Sequence, residues 1–233
     1  VFALDFPSVE HARTTAIAVR DAVGMLKVGL ELFIEAGPAA IALGAEAGRP
    51  VFLDLKLHDI PETVDRAVAR ASSLGAHMLT VHAAGGAAML RRAVERAHKE
   101  GRGLEIVAVT VLTSFDARDL VAVGVTGDVA AQVETLARLA WEEGVRTFVC
   151  SPHEASLLRK VLGPGATLVT PGVRGASAAR SDDQKRTMTA GEAIARGADW
   201  VVVGRPIRDA ADPPAAAREI ALEAGAALSA RTA

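Results

Sequence analysis

Short apolar runs alternate with alanine-rich amphipathic segments along the whole chain, and this alternation constrains the fold more than any single motif. The runs fall at 1–5, 24–28, 50–56, 77–82, 105–111, 145–150, 166–170 and 199–203, giving eight candidate strands. Segments of helical character lie at 8–22, 31–47, 61–74, 86–100, 127–143, 153–162, 188–197 and 207–229. In 86–100, Leu90, Val94 and Ala97 recur at i, i+4 and i+7 among Arg91, Arg92, Glu95, Arg96 and Lys99, the pattern of a helix with one apolar stripe. The candidate strands are near-continuous in Val, Ile and Leu, as parallel strands covered on both faces require. Eight βα units in 233 residues average about 29 residues each, close to the size of a (β/α)8 TIM barrel, roughly 250 residues. A doubly wound open sheet is the alternative, but no GxGxxG follows the first strand and that fold rarely needs eight evenly spaced units. No composition shift or linker divides the chain, so 1–233 is read as a single barrel domain.

Composition excludes several classes of function. A net charge of −2 provides no global basic field for nucleic acid or a membrane surface. With 3% aromatic residues and no Tyr, a base-stacking surface is not expected either. Cys150 is the single cysteine, so it forms no intramolecular disulfide and supplies no metal cluster. No apolar run reaches the roughly 18 residues of a membrane span. The opening residues Val1–Asp5 read as a strand rather than a signal peptide. Because the sequence starts on Val rather than Met, a short preceding piece is expected, and a cytoplasmic location is the default.

A barrel places its chemistry at the C-terminal ends of its strands. Those ends carry Asp5, Lys27, Asp54 with Lys56, His82, Thr113 with Ser114, Ser151, Pro171 with Gly172, and Gly204 with Arg205. The segments that enter the strands, such as Gly48-Arg49-Pro50, look like ordinary turns.

The densest of these ends is Leu53-Asp54-Leu55-Lys56-Leu57-His58-Asp59-Ile60-Pro61-Glu62-Thr63. Side chains alternate along a strand, so Asp54 and Lys56 are expected on one face and Leu53 and Leu55 on the other. Buried faces normally reject charge, yet here two opposite charges share one and Asp59 follows. The motif is either a structural ion pair at a strand end or a charged site. Pro61 fits the first turn of the next helix, where Glu62 is favoured by the helix dipole.

Gly204 and Arg205 follow the last strand and precede a helix pattern. Close backbone approach, free N–H groups and a guanidinium make this a candidate phosphate site. The segment 171–187, after the seventh strand, is long, rich in small residues and without helical periodicity. It reads as a lid, with Arg174 and Gln184 as its best ligand-facing candidates, or as a tolerated insertion. Asp5 suits ribose hydroxyls, with Lys27 to hold it. Thr113 and Ser114 either bond a polar ring or sugar, or cap the segment starting near Asp116. His58, His82 and His153 have no HExxH or close His/Cys cluster around them, so a structural role is expected for each, and no metal site.

The stretch Asp54 to Thr63 resembles the signature of the orotidine 5′-phosphate decarboxylase family, in its free-standing bacterial form. Ala3-Leu4-Asp5, Lys27-Val28-Gly29, Val111-Leu112-Thr113-Ser114, Pro171-Gly172-Val173-Arg174, Asp183-Gln184 and Val203-Gly204-Arg205-Pro206-Ile207 resemble that family's other blocks, in its order. The resemblance covers the whole chain. It implies cofactor-independent decarboxylation of orotidine 5′-phosphate to UMP, the last step of de novo pyrimidine nucleotide synthesis. It also implies Lys56 as proton donor, Asp54 as its in-strand partner and Asp59 as the second aspartate of the array. Asp59 and Thr63 would reach the neighbouring subunit's site, making the enzyme a homodimer with shared active sites. Asp5, Lys27 and Thr63 would hold the ribose and Ser114 the pyrimidine. Thr113, Ile60, Pro171, Arg174 and Gln184 would line the nucleotide site, and Gly204 with Arg205 would grip the phosphate. Two rivals stand beside this reading. One is a Mg²⁺-dependent sugar-phosphate decarboxylase or synthase of the same superfamily, which shares a DxKxxD spacing. The other is a non-catalytic nucleotide-phosphate-binding barrel.

Overall fold

The structure is a computed structural model and describes residues 1–174 and 188–232. In chain order the strands are β1 (Phe2–Ala3), β2 (Leu26–Val28), β3 (Val51–Leu57), β4 (Met78–His82), β5 (Glu105–Val109), β6 (Thr147–Val149), β7 (Thr167–Thr170), β8 (Val173–Arg174), β9 (Met188–Thr189) and β10 (Trp200–Val201). Eight of them form one parallel sheet in the order β1-β2-β3-β4-β5-β6-β7-β10. The sheet closes on itself: Phe2 pairs with Val203. Around that pair the Ala3 N–H donates to the Val203 carbonyl and the Val203 N–H to the Val1 carbonyl, both at 2.9 Å. Each strand of the sheet is followed by helix, so the architecture is the expected (β/α)8 barrel.

Two apolar layers hold it together. Residues in or directly beside the barrel strands form an inner cluster of Ala3, Met25, Phe52, Met78, Val107, Val169 and Val202 with partly buried Val149. The alternate positions, among them Leu4, Leu26, Leu53, Leu79, Phe148 and Leu168, face outward and pack with the helices. Continuous apolar strands are therefore explained by burial on both faces. The helix Ala87–Glu100 buries Met89, Leu90, Ala93 and Ala97 and ends on left-handed Gly101, matching the stripe read from the sequence. The helix Pro61–Ser73 starts with Pro61 in its first turn and Glu62 beside it, as expected.

Three helical segments differ from expectation. The segment 31–47 is two helices, Leu30–Ala36 and Pro38–Ala47. Gly37 adopts φ 52° and ψ −130° between them, a conformation open essentially to glycine, and Pro38 restarts the helix. The segment 188–197 opens as β9, and its helix, Ala190–Ala195, is capped reciprocally by Thr189 and Glu192. The segment 207–229 becomes a short turn of helix, Arg205–Arg208, and a long helix, Pro213–Thr232. An additional helix, Ala117–Ala122, is held by a capping box of Asp116 and Asp119. β8 pairs with β9 in parallel, so the chain on either side of 175–187 is joined. Most of the expected lid, including Gln184, lies outside the described residues. Among the described residues no helix is long and apolar enough to cross a membrane.

Candidate active site

The inner strand positions change character toward the C-terminal end of the barrel. Above the apolar layer of Ala3, Met25, Phe52 and Met78, the residues two positions further on are Asp5, Lys27, Asp54 and Thr80. Thr80 is covered, while the other three open into a cavity of about 460 Å³, lined by Asp5, Lys27, Asp54, Lys56, Thr113, Pro171, Gly204 and Arg205 together with apolar Phe52, Val109, Val149 and Val202. That volume suits a small organic ligand. Most of the strand-end positions read from the sequence thus meet in one place, whereas His82, Ser114 and Ser151 are not among its lining residues.

The charges form an alternating row. The Asp5 carboxylate lies 3.5 Å from the Lys27 ammonium. Lys27 lies 3.4 Å from Asp54 Oδ2, and Lys56 Nζ donates to Asp54 Oδ1 at 2.8 Å. Asp54 and Lys27 are only 14% and 12% exposed at the side chain, so solvent screens them little. Burial alone would push the Asp54 carboxyl up; Lys27, Lys56 and the Thr80 hydroxyl overcome that and hold it below the usual carboxylate range. It is therefore an anion at neutral pH, clamped between two cations. Gly29 leaves space for the row, since a Cβ there would stand 3.2 Å from Lys27 Nζ and 3.4 Å from Asp5 Oδ1.

Lys56 does not reach Asp54 by plain strand alternation. β3 and β4 pair regularly at Phe52–Met78 and Leu53–Leu79, then resume at Leu57–Val81. Asp54, Leu55 and Lys56 therefore stand opposite Thr80 alone, a bulge that re-aims the strand. Lys56 takes φ 52°, the sole positive φ at a non-glycine among the described residues. Such a conformation costs on the order of 1–3 kcal/mol and persists only where surroundings enforce it. The Lys56 N–H, displaced from the ladder, donates to Thr80 Oγ1 at 2.8 Å, and that hydroxyl donates to Asp54 Oδ1 at 3.0 Å. Thr80 is fully buried, and the sequence alone does not mark it as a site residue. Its signal in the sequence is slight: a lone hydroxyl in an apolar strand, two residues beyond the inward-facing Met78.

Gly204 precedes the short helix Arg205–Arg208. A Cβ on Gly204 would meet Asp5 Oδ2 at 3.4 Å, and the Arg208 guanidinium donates to the Asp5 carbonyl at 2.9 Å. The last and first strand ends are thereby tied together. Arg174 stands on β8 in register with Thr189. Four other expected residues lie off the cavity wall. Ser114 is exposed, beside Thr113, which does line it. Asp59 is exposed and accepts the Ile60 N–H at 2.6 Å rather than pairing with Lys56. Ile60 is 67% exposed, and Thr63 is exposed in the first turn of its helix. His58 and His82 face each other with ring centroids 5.5 Å apart. Burial, with the charges of His58 and Lys56, holds His82 below the usual histidine range, so it is neutral at physiological pH. Among the described residues, no group of three or more His, Cys, Asp and Glu side chains is arranged to hold a metal ion.

Closed eight-stranded topology and a polar cavity at the carboxyl ends of the strands define a (β/α)8-barrel enzyme. A family model described as "Orotidine 5'-phosphate decarboxylase / HUMPS family" matches residues 1–220, and the chain belongs to that family. An orotidine 5′-phosphate decarboxylase of Anaeromyxobacter sp. (strain K) is 57% identical over 219 residues, covering 94% of this chain and 95% of its own. One from Thermobifida fusca is 51% identical over 222 residues, covering 95% of this chain and 93% of the relative. The crystal structure of orotidine 5′-phosphate decarboxylase from Lactobacillus acidophilus superposes with a TM-score of 0.81 at 34% identity, covering 96% of this chain and 97% of that one.

Proposed function

We propose that the protein decarboxylates orotidine 5′-phosphate to UMP without a cofactor, as a homodimer, with Lys56 as the proton donor. The observation that carries this reading is the row Asp5–Lys27–Asp54–Lys56, which ends in an ammonium at the cavity wall.

Loss of CO2 from C6 breaks the C6–carboxylate bond and leaves the electron pair in the plane of the pyrimidine, where ring π orbitals do not absorb it. Preorganised charge is then the main means of stabilisation. Lys56 supplies it, then gives its Nζ proton to C6 to form UMP, and takes a proton back from solvent. Asp54 keeps the ammonium charged and fixes its position. Its partner Lys27 prevents two carboxylates, Asp5 and Asp54, from facing each other unshielded. Asp5 and Lys27 serve the ribose, Ser114 the base and Gly204 with Arg205 the phosphate, while Thr113 lines the nucleotide site. Pro171, Arg174 and Gln184 complete nucleotide binding, the roles that the family resemblance assigns them. Phosphate binding remote from C6 supplies energy for orienting the ring. Asp59, Ile60 and Thr63 point out of this chain's own cavity, which supports their serving the partner's site.

Replacing Lys56 by Ala tests the reading. Orotidine 5′-phosphate turnover is expected to collapse by at least about 10³-fold while UMP still binds. Turnover unchanged in Lys56→Ala would refute the assignment. The same assay with EDTA separates the metal-dependent rival: turnover is expected to persist, whereas loss on chelation and recovery with Mg²⁺ would favour the sugar-phosphate enzymes.

A further inference from the structure

We infer that Thr80 is the positioning residue of the site: its hydroxyl holds Lys56 in the left-handed conformation that presents the ammonium to the substrate. The role rests on Lys56 being the proton donor.

Three observations meet at this side chain. The bulge places Asp54, Leu55 and Lys56 opposite Thr80 and no other β4 residue. Lys56 carries the positive φ that the bulge requires. The Thr80 hydroxyl accepts from the Lys56 backbone N–H and donates to Asp54 Oδ1, and Asp54 Oδ1 in turn accepts from Lys56 Nζ. The circuit starts and ends on the same lysine. It fixes the backbone at one end and the ammonium at the other, and it uses the hydroxyl's single proton and one lone pair. A β-branched residue also restricts χ1, so the hydroxyl is held where both partners need it. Without it, the Lys56 N–H has no ladder partner, and the relief of the positive φ moves the lysine stem away from Asp54. A shift near 1 Å at a reacting group costs about 10²-fold in rate.

The experiment compares Thr80→Val, which keeps the shape, with Thr80→Ser, which keeps the hydroxyl, in the full chain. Unfolding temperature, UMP affinity, kcat and KM are measured for each. Thr80→Val is expected to lose about 100-fold in kcat with UMP affinity and KM near wild type. Thr80→Ser is expected to retain kcat within about 10-fold. Wild-type kcat in Thr80→Val overturns the inference. So does a folded Thr80→Ser that falls as far as Val, or a parallel loss of UMP binding and stability with kcat per folded molecule unchanged. Should Thr80→Val not fold, Thr80→Ala against Thr80→Ser carries the same comparison, since the two differ by the hydroxyl alone. A wild-type chain that does not turn over orotidine 5′-phosphate defeats the proposed function instead. A working wild type with an indifferent Thr80→Val defeats only the role of Thr80.

Discussion

Asp54 has a cation on each oxygen, and Lys27 has a carboxylate on each side. Each charge is thus placed by its neighbours, whereas Arg205 lines the cavity from the start of the short helix after the last barrel strand. If the proposed function holds, its substitution separates phosphate recognition from the chemistry. Arg205→Ala is expected to weaken UMP by about 10–100-fold, the worth of a charge-assisted hydrogen bond, and to leave uridine binding as it was. Calorimetric titration of both ligands checks this; equal losses would remove the phosphate role. At this scale the sequence was informative where a residue type was out of place. Asp54 and Lys56 on one face of an apolar strand announced themselves by the cost of burying charge. Thr80 did not, because one threonine in a strand is ordinary and its importance comes from a register shift. Plain alternation foresaw the meeting of Asp54 and Lys56, but the meeting is made by a bulge and a positive φ.

Elements depend on polar contacts as well as apolar stripes. The helices Pro61–Ser73 and Ala87–Glu100 are cross-linked through Asp65, a buried carboxylate that accepts from Arg96 and lies 3.3 Å from Arg92. The hydrogen bond from Arg96, aided by the charges of Arg96 and Arg92, holds the Asp65 carboxyl below its usual range against the effect of burial. A carboxyl lowered on folding stabilises the native state above the unfolded pKa, and that contribution is lost as pH falls through the folded value. Asp65→Asn is therefore expected to cost about 1.5–3 kcal/mol at neutral pH. The gap from wild type should shrink as pH drops below the ordinary carboxylate range, as measured by urea unfolding across pH. A gap independent of pH would show that the carboxylate's charge is not what matters. Strand order and most helix positions were legible because periodicity and burial on both faces leave few alternatives. The break at Gly37-Pro38 and the helix Ala117–Ala122 were less so. Both are decided by local backbone chemistry, a glycine conformation and a capping box, within stretches whose apolar pattern continues or fades.

For the molecule as a whole, the unfinished feature is the end of the charge row. Within this chain the row runs acid, base, acid, base, and Lys56 has Asp54 on one side. Asp59, three residues on, turns outward and engages its own helix entry instead, next to an isoleucine that is 67% exposed. A two-fold pair of chains would let each Asp59 complete the other's row, because a two-fold contact is reciprocal. This arrangement makes a quantitative demand. Lys56→Ala and Asp59→Ala chains are each expected to be nearly inactive alone. After dissociation and re-pairing, half of the dimers are mixed, and each mixed dimer holds one site with both residues intact. Equimolar mixing should then restore about a quarter of wild-type turnover, from the two-fold symmetry alone. Differently tagged chains purified together establish that mixed dimers have formed. Activity that stays at the level of the single variants in those mixed dimers would mean that Asp59 serves its own chain or none.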